Sequence, residues 1–172
     1  AYTAKLRNGL FRNTGACLSP QNAFYNSIGM ETLGLRMERV CDNAKTLAQF
    51  FATEYSDIEV NYPGLAGSKW HNIATEQFGD KFGGIITIRT GNKKRAFGII
   101  DALKLPLIVS NIGDTKTLVI HPESTLNVHS TQEEKETAGV FDDLIRISVG
   151  IEDIEDLIDD FKQAIESVKD VY

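Results

Sequence analysis

Apolar and polar positions alternate over D-L-I-R-I-S-V-G (143–150). A strand sends successive side chains to opposite faces, so Leu144, Arg146 and Ser148 share one face and Ile145, Ile147 and Val149 the other. The uniformly apolar face is predicted to lie on a core. The other sets a guanidinium beside a hydroxyl, and that guanidinium needs a carboxylate, a phosphate or water as partner. Directly after it the period changes. Ile154, Leu157, Ile158, Phe161, Ile165 and Val168 form a stripe at helical spacing, with Asp153 at its start and Glu155 and Asp156 in the first turn.

The same reading orders the rest of the chain. Ser19 can cap and Pro20 suits a first helical turn. Phe24, Ile28, Leu35, Leu47, Phe50 and Phe51 then supply apolar positions with no intervening proline. This predicts one helix over 19–54, about 50 Å long at 1.5 Å per residue. That exceeds what a small domain needs, and predicts an apolar patch that packs on something outside the chain. Short strands are predicted over 57–61, 83–90, 107–110 and 117–120, and helices over 70–78, 93–103 and 131–139, the last closed by Gly139. The sum is an α/β (α+β) chain whose short strands form a small sheet with helices packed on it, preceded by the long helix.

Composition narrows the classes. The 172 residues suit one domain, or one domain with a flanking helical segment, and 42% hydrophobic with 24% charged residues is ordinary for a globular chain. A net charge of −6 without a basic stripe argues against nucleic acid. No apolar run reaches the roughly 18 residues of a membrane span, and the N-terminus lacks a secretory pattern. The absent initiator Met leads us to expect a piece of something longer. Cys17 and Cys41 make no disulfide framework, which favours a reduced, cytoplasmic setting. His71, His121 and His129 fall at no metal-ligand spacing.

Candidate chemistry is sparse. Arg146 could be an internal ion-pair partner, since 24 acids are available, or a ligand group near the end of a strand. The loop S-N-I-G-D (110–114) is explained by turn chemistry alone. G-L-A-G-S-K (64–69) lacks phosphate-loop spacing, and N-S-I-G-M (26–30) falls inside the predicted long helix.

Six blocks, in order across the chain, carry a resemblance: G-A-C-L-S-P-Q-N-A-F (15–24), G-M-E-T-L-G-L-R-M-E-R (29–39), V-N-Y-P-G-L (60–65), F-G-G-I-I-T (82–87), N-I-G-D-T-K-T-L-V-I-H-P-E-S-T (111–125) and L-I-R-I-S-V-G-I-E-D-I-E-D-L (144–157). Together they resemble the Cys/Met-metabolism family of pyridoxal-phosphate enzymes, in particular its O-acetylhomoserine sulfhydrylase branch. The resemblance implies the C-terminal domain of a fold-type I enzyme, with a mostly antiparallel sheet and helices on one face. It implies residues 1–18 as a tail from an N-terminal domain, 19–54 as a linker helix and 55–172 as the C-terminal domain.

The family's cofactor lysine, in a Ser-x-Thr-Lys motif, has no counterpart here, and S-V-K (167–169) is no substitute. Pyridoxal phosphate is therefore expected in a parent enzyme and not on this chain, which is expected to be inactive alone. By resemblance Arg146 binds the substrate α-carboxylate and Asn111 sits beside it. The implied reaction eliminates acetate from O-acetylhomoserine and adds sulfide or a thiol, giving homocysteine or methionine. Methionine γ-lyase, cystathionine γ-synthase or lyase, and a non-enzymatic fragment are the alternatives. L-N-V-H-S (126–130) departs from the Thr-His of many relatives near the substrate entrance. The parent is expected to be a homotetramer and this chain a dimer through the long helix.

Overall fold

Short segments of two to five residues, each bearing Val or Ile, become the strands of one sheet. The structure is a computed structural model that describes residues 2–169. It divides into two compact units after Gly34.

In the first unit, α1 (Tyr2–Leu6), a π-helical turn (Arg7–Phe11) and α2 (Arg12–Thr14) follow one another without a gap. Gly15 ends this stretch at φ 65°, a conformation that favours glycine. Residues 2–14 are thus helical. After it, the Ser19 hydroxyl accepts from the Asn22 amide at 3.2 Å and starts α3 (Pro20–Glu31), as its capping sequence predicted. No residue of α3 is buried, and Phe24, Tyr25 and Met30 are all exposed.

The single helix expected over 19–54 is instead two. α3 ends at Glu31, Thr32 takes φ −103° and ψ 6°, and α4 (Leu33–Glu54) begins beyond it. A β-branched residue between Gly29 and Gly34 is the physical cause, because each glycine costs a helix about 1 kcal/mol relative to alanine.

In the second unit the strands are β1 (Glu59–Asn61), β2 (Ile85–Arg89), β3 (Leu107–Ile108), β4 (Leu118–Ile120) and β5 (Leu144–Ser148). Their order is β1-β2-β5-β4-β3, antiparallel except for the β3–β4 pair. Ile86, Ile88, Val119, Ile145 and Ile147 form one face of the sheet and join a single core with α4, α6 (Lys93–Ala102) and α8 (Ile154–Ser167). Phe51 of α4 meets Phe161 of α8 edge to face at 5.2 Å. The α8 stripe explains this docking, with Leu157, Phe161 and Ile165 fully buried.

The connections carry their own stops and starts. Asn92 caps α6, Asp153 caps α8, and a capping box of Thr131 and Glu134 opens α7 (Gln132–Thr137). Gly139 follows α7 at φ 69°, and α5 (His71–Phe78) fills the interval between β1 and β2. The result is a mostly antiparallel sheet with its main helices on one face. The strand residues of the opposite face are left to carry chemistry.

Candidate functional site

That opposite face has a readable register. Asn61, Thr87, Arg146 and Ile120 are consecutive cross-strand partners on β1, β2, β5 and β4. Neighbouring strands lie about 4.8 Å apart, so the four form a row across the sheet. The Asn61 amide donates to the Thr87 hydroxyl at 3.3 Å. Asn61 and Thr87, with Arg89, Lys69 and Trp70, line an open hollow of about 800 Å³.

Two arginines occupy this face, and their surroundings differ. Arg89 donates through Nε to the buried Asp143 carboxylate at 2.9 Å, reaches Glu59 at 3.4 Å, and stacks on the Phe141 ring at 4.0 Å. Its charge is paired and its plane covered, as a structural arginine requires. Arg146 has no carboxylate within ion-pair distance among the described residues. Its Nη2 donates to the Ser110 carbonyl at 2.7 Å, with a longer contact of 3.4 Å to the Asn111 carbonyl. Partial burial lowers its pKa from the ordinary guanidinium value, yet the group stays charged at any physiological pH. Carbonyl dipoles orient the guanidinium without cancelling its charge.

The expected pair, Arg146 and Asn111, is therefore brought together through the Asn111 main chain, and the Asn111 side chain is exposed. Several residues that pattern reading missed hold this loop. Gly113, at φ 80°, donates its amide to the Ser148 hydroxyl at 3.1 Å. Asp114 accepts from the Lys116 amide at 3.0 Å, and that bond holds its carboxyl below the usual range. Thr117 donates to the Glu152 carboxylate through its amide at 2.6 Å and its hydroxyl at 2.9 Å. The Asn43 amide spans the Gly150 and Glu152 carbonyls at 3.1 and 2.9 Å. The turn chemistry of 110–114 and the position of Ser148, two residues from Arg146 on one strand face, were the available signals.

Two of the three histidines have structural partners, and His129 is exposed. His121 is buried, pairs with the Ser124 hydroxyl and the Asp142 carbonyl at 2.9 and 2.8 Å, and lies against Phe97 at 4.7 Å. His71 pairs with the Pro63 carbonyl at 2.9 Å. No group of three or more His, Cys, Asp or Glu among the described residues could hold a metal ion. No helix among them is long and apolar enough to cross a membrane.

Fold and site define an α/β domain that presents an unpaired, backbone-anchored guanidinium, a group suited to gripping a carboxylate. The chain belongs to the Cys/Met metabolism PLP-dependent enzyme family, whose description matches residues 2–166. It is 41% identical to an L-methionine gamma-lyase of Fusobacterium nucleatum subsp. polymorphum over 93% of this chain and 40% of that protein. It is 40% identical to an O-acetyl-L-homoserine sulfhydrylase of Corynebacterium glutamicum over 94% of this chain and 37% of that protein. A solved Campylobacter jejuni structure, assigned as an O-acetylhomoserine (thiol)-lyase and carrying N'-pyridoxyl-lysine-5'-monophosphate, superposes with TM-score 0.89 at 38% identity. It covers 96% of this chain and 39% of that one. The chain thus spans about two fifths of the length of the curated relatives it matches.

The family's cofactor needs a lysine amine and a set of phosphate donors. None of the five strands carries a lysine. Lys81, Lys93 and Lys135 are held in ion pairs with Asp42 and Glu123, and Lys69 lies over the Trp70 ring. Around Arg146 the described residues offer carbonyl acceptors and no carboxylate, so the guanidinium keeps its charge.

Proposed function

We propose that this chain is the substrate-orienting part of a pyridoxal-phosphate-dependent O-acetylhomoserine sulfhydrylase. That enzyme would release acetate from O-acetylhomoserine and join sulfide or a thiol to the remaining four-carbon unit, giving homocysteine or methionine. The observation that carries the reading is the contrast between the two arginines. Arg89 has acids on hand, whereas Arg146 keeps Nε and Nη1 without acceptors among the described residues.

In this reading a substrate α-carboxylate accepts two hydrogen bonds from Arg146, and the exposed Asn111 amide donates a third. Two fixed bonds to one planar group set the direction of the substrate's Cα–H bond. Residues 1–18 continue from the part that holds the cofactor, 19–54 link the two parts, and 55–172 orient the substrate. The chain by itself is then inactive, its parent a cytoplasmic homotetramer, and the exposed apolar side of α3 a packing surface on which this chain alone could dimerise.

The gamma-lyase likeness supports a second reading, in which the parent cleaves methionine. Steady-state assays of the full-length parent separate the two. The sulfhydrylase reading expects homocysteine from O-acetylhomoserine and sulfide to form faster than 2-oxobutyrate from methionine. Arg146→Lys should lower kcat/KM by about 10- to 100-fold, because one charge-assisted bond contributes about 1.5–3 kcal/mol. Unchanged kcat/KM in that variant would remove Arg146 from the substrate site. Faster methionine cleavage would favour the lyase.

A further inference from the structure

We propose that Thr117, Glu152 and Ser148 are positioning residues for Arg146: they latch the 110–117 loop onto the end of β5, and the loop's carbonyls then fix the guanidinium. The inference rests on Arg146 acting as a carboxylate clamp. It assigns the precision of that clamp to residues that touch no substrate.

The latch has two points. At one end, the buried Ser148 hydroxyl accepts from the Gly113 amide at 3.1 Å, two residues beyond the Asn111 carbonyl. At the other, Thr117 is fully buried and uses its hydroxyl twice. It donates to the Glu152 carboxylate at 2.9 Å and accepts from the Gly150 amide at 2.9 Å. The Thr117 amide adds a 2.6 Å bond to the same carboxylate, and the Ile151 amide donates to the Thr115 carbonyl at 2.9 Å. The middle and the C-terminal end of the loop are thereby tied to the segment 148–152, which continues directly from the strand that carries Arg146.

Close approach enforces the arrangement. A Cβ on Gly150 would collide with the Thr115 carbonyl oxygen and the Glu152 carboxylate and stand 2.6 Å from the Lys116 carbonyl carbon. No side chain fits there while the loop is seated. The chemistry of Glu152 also suits the task. Its charge is spent on the two Thr117 donors, and it makes no ion pair with Arg146. An acid that reached the guanidinium would compete with an incoming carboxylate. Here the acid acts at a distance, through the loop.

The energetic argument is preorganisation. A free arginine side chain carries substantial rotamer entropy, which a ligand would otherwise have to offset on binding. The Ser110 carbonyl at 2.7 Å removes much of that freedom beforehand, provided that the loop itself is held.

The test uses the 15N-labelled chain, with sodium acetate as probe and sodium chloride at equal ionic strength as control. Two readouts are followed: the Arg146 Nε–H resonance and amide hydrogen exchange at Gly113 and Thr117. In the parent sequence acetate, and not chloride, should move the arginine resonance saturably. Thr117→Val and Ser148→Ala should each weaken acetate about 2- to 10-fold, the worth of one lost hydrogen bond, and speed exchange of the loop amides. Thr117→Ser retains the hydroxyl and should track the parent. Acetate affinity unchanged in Thr117→Val would overturn the latch, as would a Thr117→Ser variant as weak as Thr117→Val. If Thr117→Val does not fold, Ser148→Ala decides alone, since it removes a single oxygen. A parent whose arginine resonance ignores acetate would overturn the clamp itself, and the latch with it.

Discussion

Replacing Glu123 by Gln should destabilise the chain at neutral pH and cease to matter near pH 2. Glu123 sits in the 3-10 turn Pro122–Ser124, with its carboxylate between Lys135 of α7 and Lys93 of α6. Hydrogen bonds from Lys135 first and Lys93 second pull its pKa from 4.5 to about 2. The folded pKa lies below the unfolded one, so the ionised carboxylate stabilises the fold above about pH 4.5. That contribution is lost as pH falls toward 2. A shift of this size corresponds to at most about 3 kcal/mol. Solvent screening reduces it, because the Lys93 side chain is 45% exposed while Glu123 is 18% exposed. About 1–2 kcal/mol is the expected difference at pH 7. Urea unfolding followed through circular dichroism, run on both proteins from about pH 7 to about pH 2.5, measures it. A difference of the same size at both ends of that range would refute the ion-pair account and point to packing.

Two further predictions concern the core. Asp160, on α8, accepts from the Lys104 and Leu105 amides at 2.9 and 2.8 Å and from the Gln163 amide at 3.0 Å. Asp160→Ala strands two main-chain donors and should cost about 2–4 kcal/mol by urea midpoint, and a cost below about 0.5 kcal/mol would deny that role. Phe51→Ala empties a fully buried site against Phe161 and should cost about 3–5 kcal/mol in the same assay. A cost under about 1 kcal/mol would mean that the α4–α8 contact contributes little.

How much was legible follows from how far apart the cooperating residues stand. The α8 stripe, the Ser19 cap, the helix start at Thr131 and the Gly139 stop are local signals, and the structure bears each of them out. The break at Thr32 was not legible, because pattern reading sought a proline and the weakness is distributed over Gly29, Thr32 and Gly34. The Arg146 question was insoluble from composition, since any of 24 acids could have served. Register sets no acid beside it: Glu59 lies opposite Arg89, while Thr87 and Ile120 flank Arg146. The latch was invisible for the same reason. Thr117 and Glu152 stand 35 residues apart, and Asn43 and Gly150 107 apart.

Why β5 tolerates such an arginine follows from the layering. Ile145 and Ile147 hold the strand to the helices, so the strand's attachment does not depend on its second face. On that face a half-buried guanidinium must recover the hydration it loses. An acid would do so most strongly, as Asp143 does for Arg89, but it would also fill the donors and quench the field. The Ser110 carbonyl supplies a hydrogen bond and no charge, which leaves the guanidinium's positive charge uncancelled. In the proposed reading, that choice gives up some stability for the capacity to attract an anion, a use that a purely structural arginine would not retain.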